Sequence, residues 1–131
     1  MTPETNPSRL RTWTAWGAFG LSALFLLVDG IAKLFKPQPV IEGTIRLGYS
    51  ESVIIPLGLT LTVCLLLYIF PRTAVLGAIL LTGYLGGAVA THVRAADGAF
   101  GVFFPVMIGT LVWAGLWLRD DRLRGLMPWR R

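Results

Sequence analysis

Few side chains in this sequence could do chemistry, and their spacing is orderly. Asp29 and Lys33 stand four residues apart, on one face of a helix, where they can pair. His92 is the sole histidine, with Arg94 and Asp97 just after it, Thr91 before it and Tyr84 about two helical turns earlier. An acid at hydrocarbon depth costs ~2.5–3.5 kcal/mol and marks a functional position by default; the plainer reading is an Asp29–Lys33 pair that holds a helix end. His92 is likewise either an acid–base group or an interfacial side chain at a helix terminus. At such depth the Tyr84 hydroxyl needs a partner, which Thr91, Thr82 or another helix can supply.

Other chemistries lack their residues. One histidine excludes bis-histidine haem and leaves only a formal His92–Met107 ligation. One histidine and one cysteine, Cys64, separated across the membrane by topology, build no zinc or iron–sulfur site, and Cys64 has no second thiol to pair with. No nucleophile elbow, phosphate loop or dinucleotide fingerprint occurs. No metal and no intrinsic cofactor are therefore expected. Redox work would need a bound quinone-like molecule or a partner protein.

The elements that must position these groups are visible in the charges. Four stretches, residues 12–28, 52–71, 73–93 and 98–118, contain none, so 79 of the 131 residues are free of Asp, Glu, Lys and Arg. An aqueous core does not sort charge this way; a bilayer does, because its ~30 Å hydrocarbon layer takes ~20 apolar residues per helix. The runs are continuously apolar rather than alternating, which excludes barrel strands. The expected fold is all-α: a transmembrane four-helix bundle forming one membrane domain over 1–131, with spans at 12–35, 52–70, 73–92 and 99–118. The first run is long for a cleaved signal, and its removal would strand Asp29, so it reads as a retained anchor.

Pro37 and Pro39 end the first span, Pro56 falls in the first turns of the second, and Pro105 should bend the fourth. Residues 36–51 form the longest connection, lying across the membrane surface or holding a short helix. The net charge of +5 is a topology signal, not a nucleic-acid footprint. Arg9, Arg11, Arg72 and the five arginines from Arg119 onward outnumber Lys33, Lys36, Arg46 and Arg94 by eight to four, which puts both termini in the cytoplasm. Trp13, Trp16, Trp113, Trp117 and Trp129 fall on that same side.

Small residues suggest how the spans pack. Gly83 and Gly87 at small-xxx-small spacing, with Gly86 in an adjacent small row, predict that the third span is the buried centre of the bundle. Gly101, Gly109 and Ala114 should do similar work on the fourth. Intramolecular packing takes precedence, and an oligomer stays open. Ala15, Ala18 and Ser22 share the face of Asp29, which turns the acid inward. The first and third spans run in the same direction, so Asp29, Lys33, Glu42, His92 and Arg94 should converge on one outward-facing polar pocket, beside the loop that carries Arg46 and Tyr49.

The stretch from Phe70-Pro71-Arg72 through Gly83-Tyr84-Leu85-Gly86-Gly87 to Thr91-His92-Val93-Arg94 resembles the signature of the DoxX-like family. Asp29-Gly30-Ile31-Ala32-Lys33-Leu34, Arg46-Leu47-Gly48-Tyr49 and the segment from Trp113 to Asp120 are similar at the corresponding places. The resemblance spans roughly residues 13–128. It implies a small bacterial four-helix protein of the cytoplasmic (inner) membrane. It further implies association with membrane redox complexes, such as thiosulfate:quinone oxidoreductase, or with thiol and oxidative-stress systems through partner proteins. The expected function is an accessory or anchor subunit of a membrane redox system, binding quinone and serving a membrane or soluble redox partner, rather than an enzyme on its own. The missing second cysteine agrees with that. The competing expectations are a binding or transport protein for a small amphipathic molecule, and an enzyme using Asp29 and His92 as acid and base.

Overall fold

The computed structural model describes residues 7–126. Trp129, Arg130 and Arg131, which entered the sidedness count, lie outside them. Four long helices dominate: α1 (Pro7–Phe35), α3 (Ile54–Ile69), α4 (Ala74–Arg94) and α5 (Ala99–Arg119). A nine-residue helix, α2 (Gln38–Arg46), and a 3-10 turn (Glu51–Val53) occupy the long connection, and α6 (Asp121–Leu126) follows α5. All four long helices, α3 with its preceding turn, are long and apolar enough to cross a membrane. α1 begins well before the first uncharged run, α3 carries Pro56 in its first turn, and α5 continues through Pro105.

The spans form a ring. α1 packs on α3 and α5, α4 packs on the same two helices, and α1 and α4 take opposite corners. Between them lies a seam that includes Leu26, Leu61, Leu65, Tyr68, Leu81, Leu85, Ile108, Val112 and Leu116. Tyr68 is wholly buried, and its hydroxyl donates to the Val112 carbonyl at 2.8 Å, so its polar end is satisfied inside the core. The outer faces carry Leu21, Leu24, Leu59, Val63, Ile79, Phe103 and Val106, all exposed. So large an apolar exterior belongs against lipid. Ser22, Thr60, Thr62, Thr82 and Thr110 return their hydroxyl protons to carbonyls of the preceding helical turn, leaving no donor for hydrocarbon to strand.

Two expectations about α4 need correction. It is a corner of the ring rather than its centre. Gly83, Gly86 and Gly87 are not its packing seam either: a methyl group at any of them would meet nothing within 4 Å. The helix is rotated so that Ala74, Ala78, Leu81 and Leu85 face the core, because leucines fill that space at interior density where a glycine row would leave a void. Close approach occurs elsewhere. Gly77 sits on the Tyr68 backbone, and Gly30 and Gly58 face each other between α1 and α3. Gly115 meets Ala15 and Phe19 between α1 and α5.

These contacts separate glycines that the sequence makes look alike. Gly77→Ala should cost about 1–3 kcal/mol or more, because backbone rather than a flexible side chain blocks the added methyl. Gly83→Ala should be neutral or stabilising by up to ~1 kcal/mol, through helix propensity. Thermal unfolding in micelles tests this; equal losses in both variants would refute the rotation of α4.

Candidate functional site: a covered cavity at one end of the bundle

α2 lies over one end of the ring with Val40, Gly43 and Thr44 turned down into a cavity of about 530 Å³. The walls come from α1, α3, α4 and α5. Toward the cover the lining is polar, with Asp29, Lys33, Arg46, Tyr49, Thr91 and His92. The remaining wall is largely apolar, with Phe25, Leu26, Leu57, Leu85, Phe104 and Ile108, and includes the half-buried Tyr84. One compartment therefore offers hydrogen bonds at its mouth and hydrocarbon-like surface within.

Lys33 Nζ meets Asp29 Oδ1 at 2.6 Å, so the pair inferred from the i, i+4 spacing is formed, with the Asp29 side chain about one-third exposed (34%). Thr91 donates its single proton to the Gly87 carbonyl at 2.8 Å, so the Tyr49 hydroxyl, 2.9 Å away, must be the donor in the Tyr49–Thr91 bond. His92 Nδ1 lies 2.9 Å from Asp97 Oδ2. A carboxylate only accepts, so Nδ1 carries the proton and, in the neutral ring, Nε2 is left as the acceptor. The other Asp97 oxygen lies 3.6 Å from Arg46 Nε, tying the end of α4 to the end of α2. The imidazole rests on Gly101, where a Cβ would come within 2.5 Å of Nδ1.

Of the five residues expected to converge on one pocket, Asp29, Lys33 and His92 line this cavity, and the other two candidates on α4, Tyr84 and Thr91, line it as well. Glu42 does not. It is on the exposed side of α2, where Gln38 Nε2 donates to it at 3.3 Å, because the helix turns its Val40–Gly43–Thr44 stripe toward the apolar interior. Arg94 also stays outside and acts as a fastener: its Nη2 donates to the Leu47 carbonyl at 2.9 Å, beside Gly48, whose φ of 95° favours glycine. Tyr84 departs from expectation in another way. Thr91 is committed to Tyr49 and Gly87, and Thr82 to Ala78 and the Trp113 indole, so the Tyr84 hydroxyl has no hydrogen-bond partner among the described residues.

Spacing along single helices did not single out Arg46, Tyr49 and Asp97 as site residues. The signals were present but local: a glycine just before Tyr49, and Asp97 five residues after the only histidine. Among the described residues, no three His, Cys, Asp or Glu side chains gather as a metal ion would require.

The model of the DoxX-like family matches residues 9–115, from the first turn of α1 almost to the end of α5. The chain belongs to the DoxX-like family. No curated protein and no solved structure matches it. Family membership together with four apolar helices makes this a DoxX-like multi-pass membrane protein. Every residue named above as lining the cavity lies inside the matched segment.

The fastener is open to test in this DoxX-like protein. Arg94→Ala leaves the Leu47 carbonyl without its side-chain donor, a net loss of about 0.5–1.5 kcal/mol. Amide hydrogen exchange through α2 and the following turn should then speed up about two- to tenfold, with the α3–α5 helices unchanged. Unaltered exchange in α2 would show that Arg94 does not hold the cover.

Proposed function

We propose that this DoxX-like protein is an accessory subunit of a membrane redox system that binds a quinone-class molecule in the covered cavity, rather than an enzyme acting alone. The observation that carries this reading is the unpartnered Tyr84 phenol within an amphipathic cavity at membrane depth. A quinone ring is flat and apolar, and it offers only acceptors, its two carbonyl oxygens. Tyr84 supplies a free donor to one. Lys33 and Arg46, nearer the cover, offer cationic donors to the other. Phe25 and Phe104, whose rings pack edge-on at 4.7 Å, provide aromatic wall for the ring faces. The electrons would reach and leave the ring through a partner protein, since the protein's side chains supply no carrier of their own.

The sidedness that goes with this reading places the protein in a bacterial cytoplasmic membrane, with both termini inside and α2 outside. The eight-to-four distribution of Lys and Arg supports it, as do Trp13 and Trp16 at the end of the bundle opposite α2. Single cysteines at Glu42 and Arg72, both exposed and at opposite ends, provide the test. On intact cells an impermeant maleimide should label Glu42→Cys and spare Arg72→Cys, with buried Cys64 silent in both. The reverse pattern would invert the topology.

For binding, the purified protein in nanodiscs should quench its fluorescence saturably with a short-chain benzoquinone. Tyr84→Phe should weaken that binding about tenfold, the size of one hydrogen bond to a group otherwise left unpaired. An absence of saturable quenching, or a Tyr84→Phe variant that binds as well as wild type, would overturn the quinone assignment. One feature favours the competing reading of a carrier for small amphipathic molecules. The described polar links between the α2–Tyr49 segment and α4 and its outer turn are side-chain contacts, from Arg46, Tyr49 and Arg94, so the cover could open toward the outside. That reading predicts ligand binding with no redox protein copurifying from native membranes.

A further inference from the structure

A second space lies on the outside of the ring, between α4 and α5. It is a groove of about 680 Å³, and it shares Leu85 and Pro105 with the covered cavity. Those two side chains are a common sill: one face belongs to the polar-mouthed cavity, the other to the lipid-facing groove. We infer that this groove holds the prenyl tail of a long-chain quinone whose ring occupies the cavity, the chain crossing at Leu85 and Pro105. The inference deepens the quinone reading above and rests on it.

Three observations restrict the occupant to hydrocarbon of unusual length. First, the donor protons of the groove's polar side chains with a described bond are spent on backbone carbonyls or on one another. Thr82 donates to the Ala78 carbonyl and accepts the Trp113 indole proton at 2.6 Å, and Thr110 donates to the Val106 carbonyl. A polar headgroup would find no free donor on these side chains, only spare lone pairs on the two threonine hydroxyls. Second, the groove exists because side chains are missing. A methyl at Gly86 would meet nothing within 4 Å, and one at Gly109 would just touch Leu85 Cδ1 at 3.6 Å. Third, the groove is long. Its α5 wall from Pro105 to Trp117 covers about 18 Å at helical rise and ends about 27 Å from the start of α5. An outer-leaflet acyl chain reaches only the midplane of a ~30 Å core, at about 15 Å. A chain that fills the groove must continue into the opposite leaflet, which a long prenyl tail does.

The test compares a benzoquinone carrying a long prenyl chain with the same ring carrying one prenyl unit, each titrated in nanodiscs as a mole fraction of lipid so that partitioning cancels. The wild-type protein should prefer the long chain by tenfold or more, since several buried methylene groups contribute. Gly86→Leu puts its bulk into the groove from a position where an added Cβ meets nothing within 4 Å. It should abolish the preference while leaving the short-chain affinity within about twofold. Gly20→Leu, also in open space but on α1, should keep the preference. Short-chain binding without a chain-length preference, or a preference that survives Gly86→Leu, overturns the groove alone. Failure of both rings to bind wild type overturns the quinone reading and the groove together. A copurified phospholipid that neither quinone displaces also overturns the groove, identifying it as a lipid seam.

Discussion

Hydrocarbon offers no hydrogen bonds, and this structure is organised around that one fact. Each backbone group in a span must bond within its own helix, and each hydroxyl must find a carbonyl nearby or another side chain. The Ser and Thr side chains along the spans meet this demand one helical turn back, which is why they can sit on faces turned toward lipid. Tyr68 meets it across the bundle at Val112, while Tyr84 does not meet it at all among the described residues. In such a medium an unsatisfied phenol beside a cavity is conspicuous, and the functional assignment begins there.

The same constraint explains where the ionisable groups lie. None can remain alone in the apolar layer, so they collect at the ends of the spans and are tied in pairs: Asp29 with Lys33, Lys36 with Glu51, and His92 with Asp97 and Arg46. At the other end, the Arg119 guanidinium lies 4.4 Å from the Phe19 ring centroid and 5.0 Å from that of Trp16, a cation held against aromatic faces at the membrane boundary. At the covered end, pairing produces more than neutralisation. It fastens α2 and the Tyr49 loop to α4, and so turns a ring of helices into a container.

Glycine divides its labour in a way that composition conceals. Gly30, Gly58, Gly77 and Gly115 allow backbones to approach, whereas Gly83 and Gly87 hollow out the covered cavity and Gly86 the lipid-facing groove. The two uses have the same sequence signature, because a small residue removes volume whether a neighbouring helix or a ligand then fills it. Only the rotation of α4 about its axis separates them, and that rotation follows from the bulk of Leu81 and Leu85 rather than from the glycines.

Segregated charge was sufficient, with no coordinates, to give four long apolar helices in order, and i, i+4 spacing to give the Asp29–Lys33 pair, because these depend on local periodicity and on the thickness of a bilayer. Parallel directions of the first and third spans also sufficed to bring Asp29, Lys33 and His92 to one level. Tertiary structure alone decided which faces meet. It put Glu42 outside, made Arg94 a fastener, brought Arg46 and Tyr49 to the cavity, set Asp97 behind His92, and left Tyr84 without a partner. The reason is that side-chain direction around a helix axis is set by packing against neighbours, and in spans apolar on every side the hydrophobic pattern contains almost no record of it.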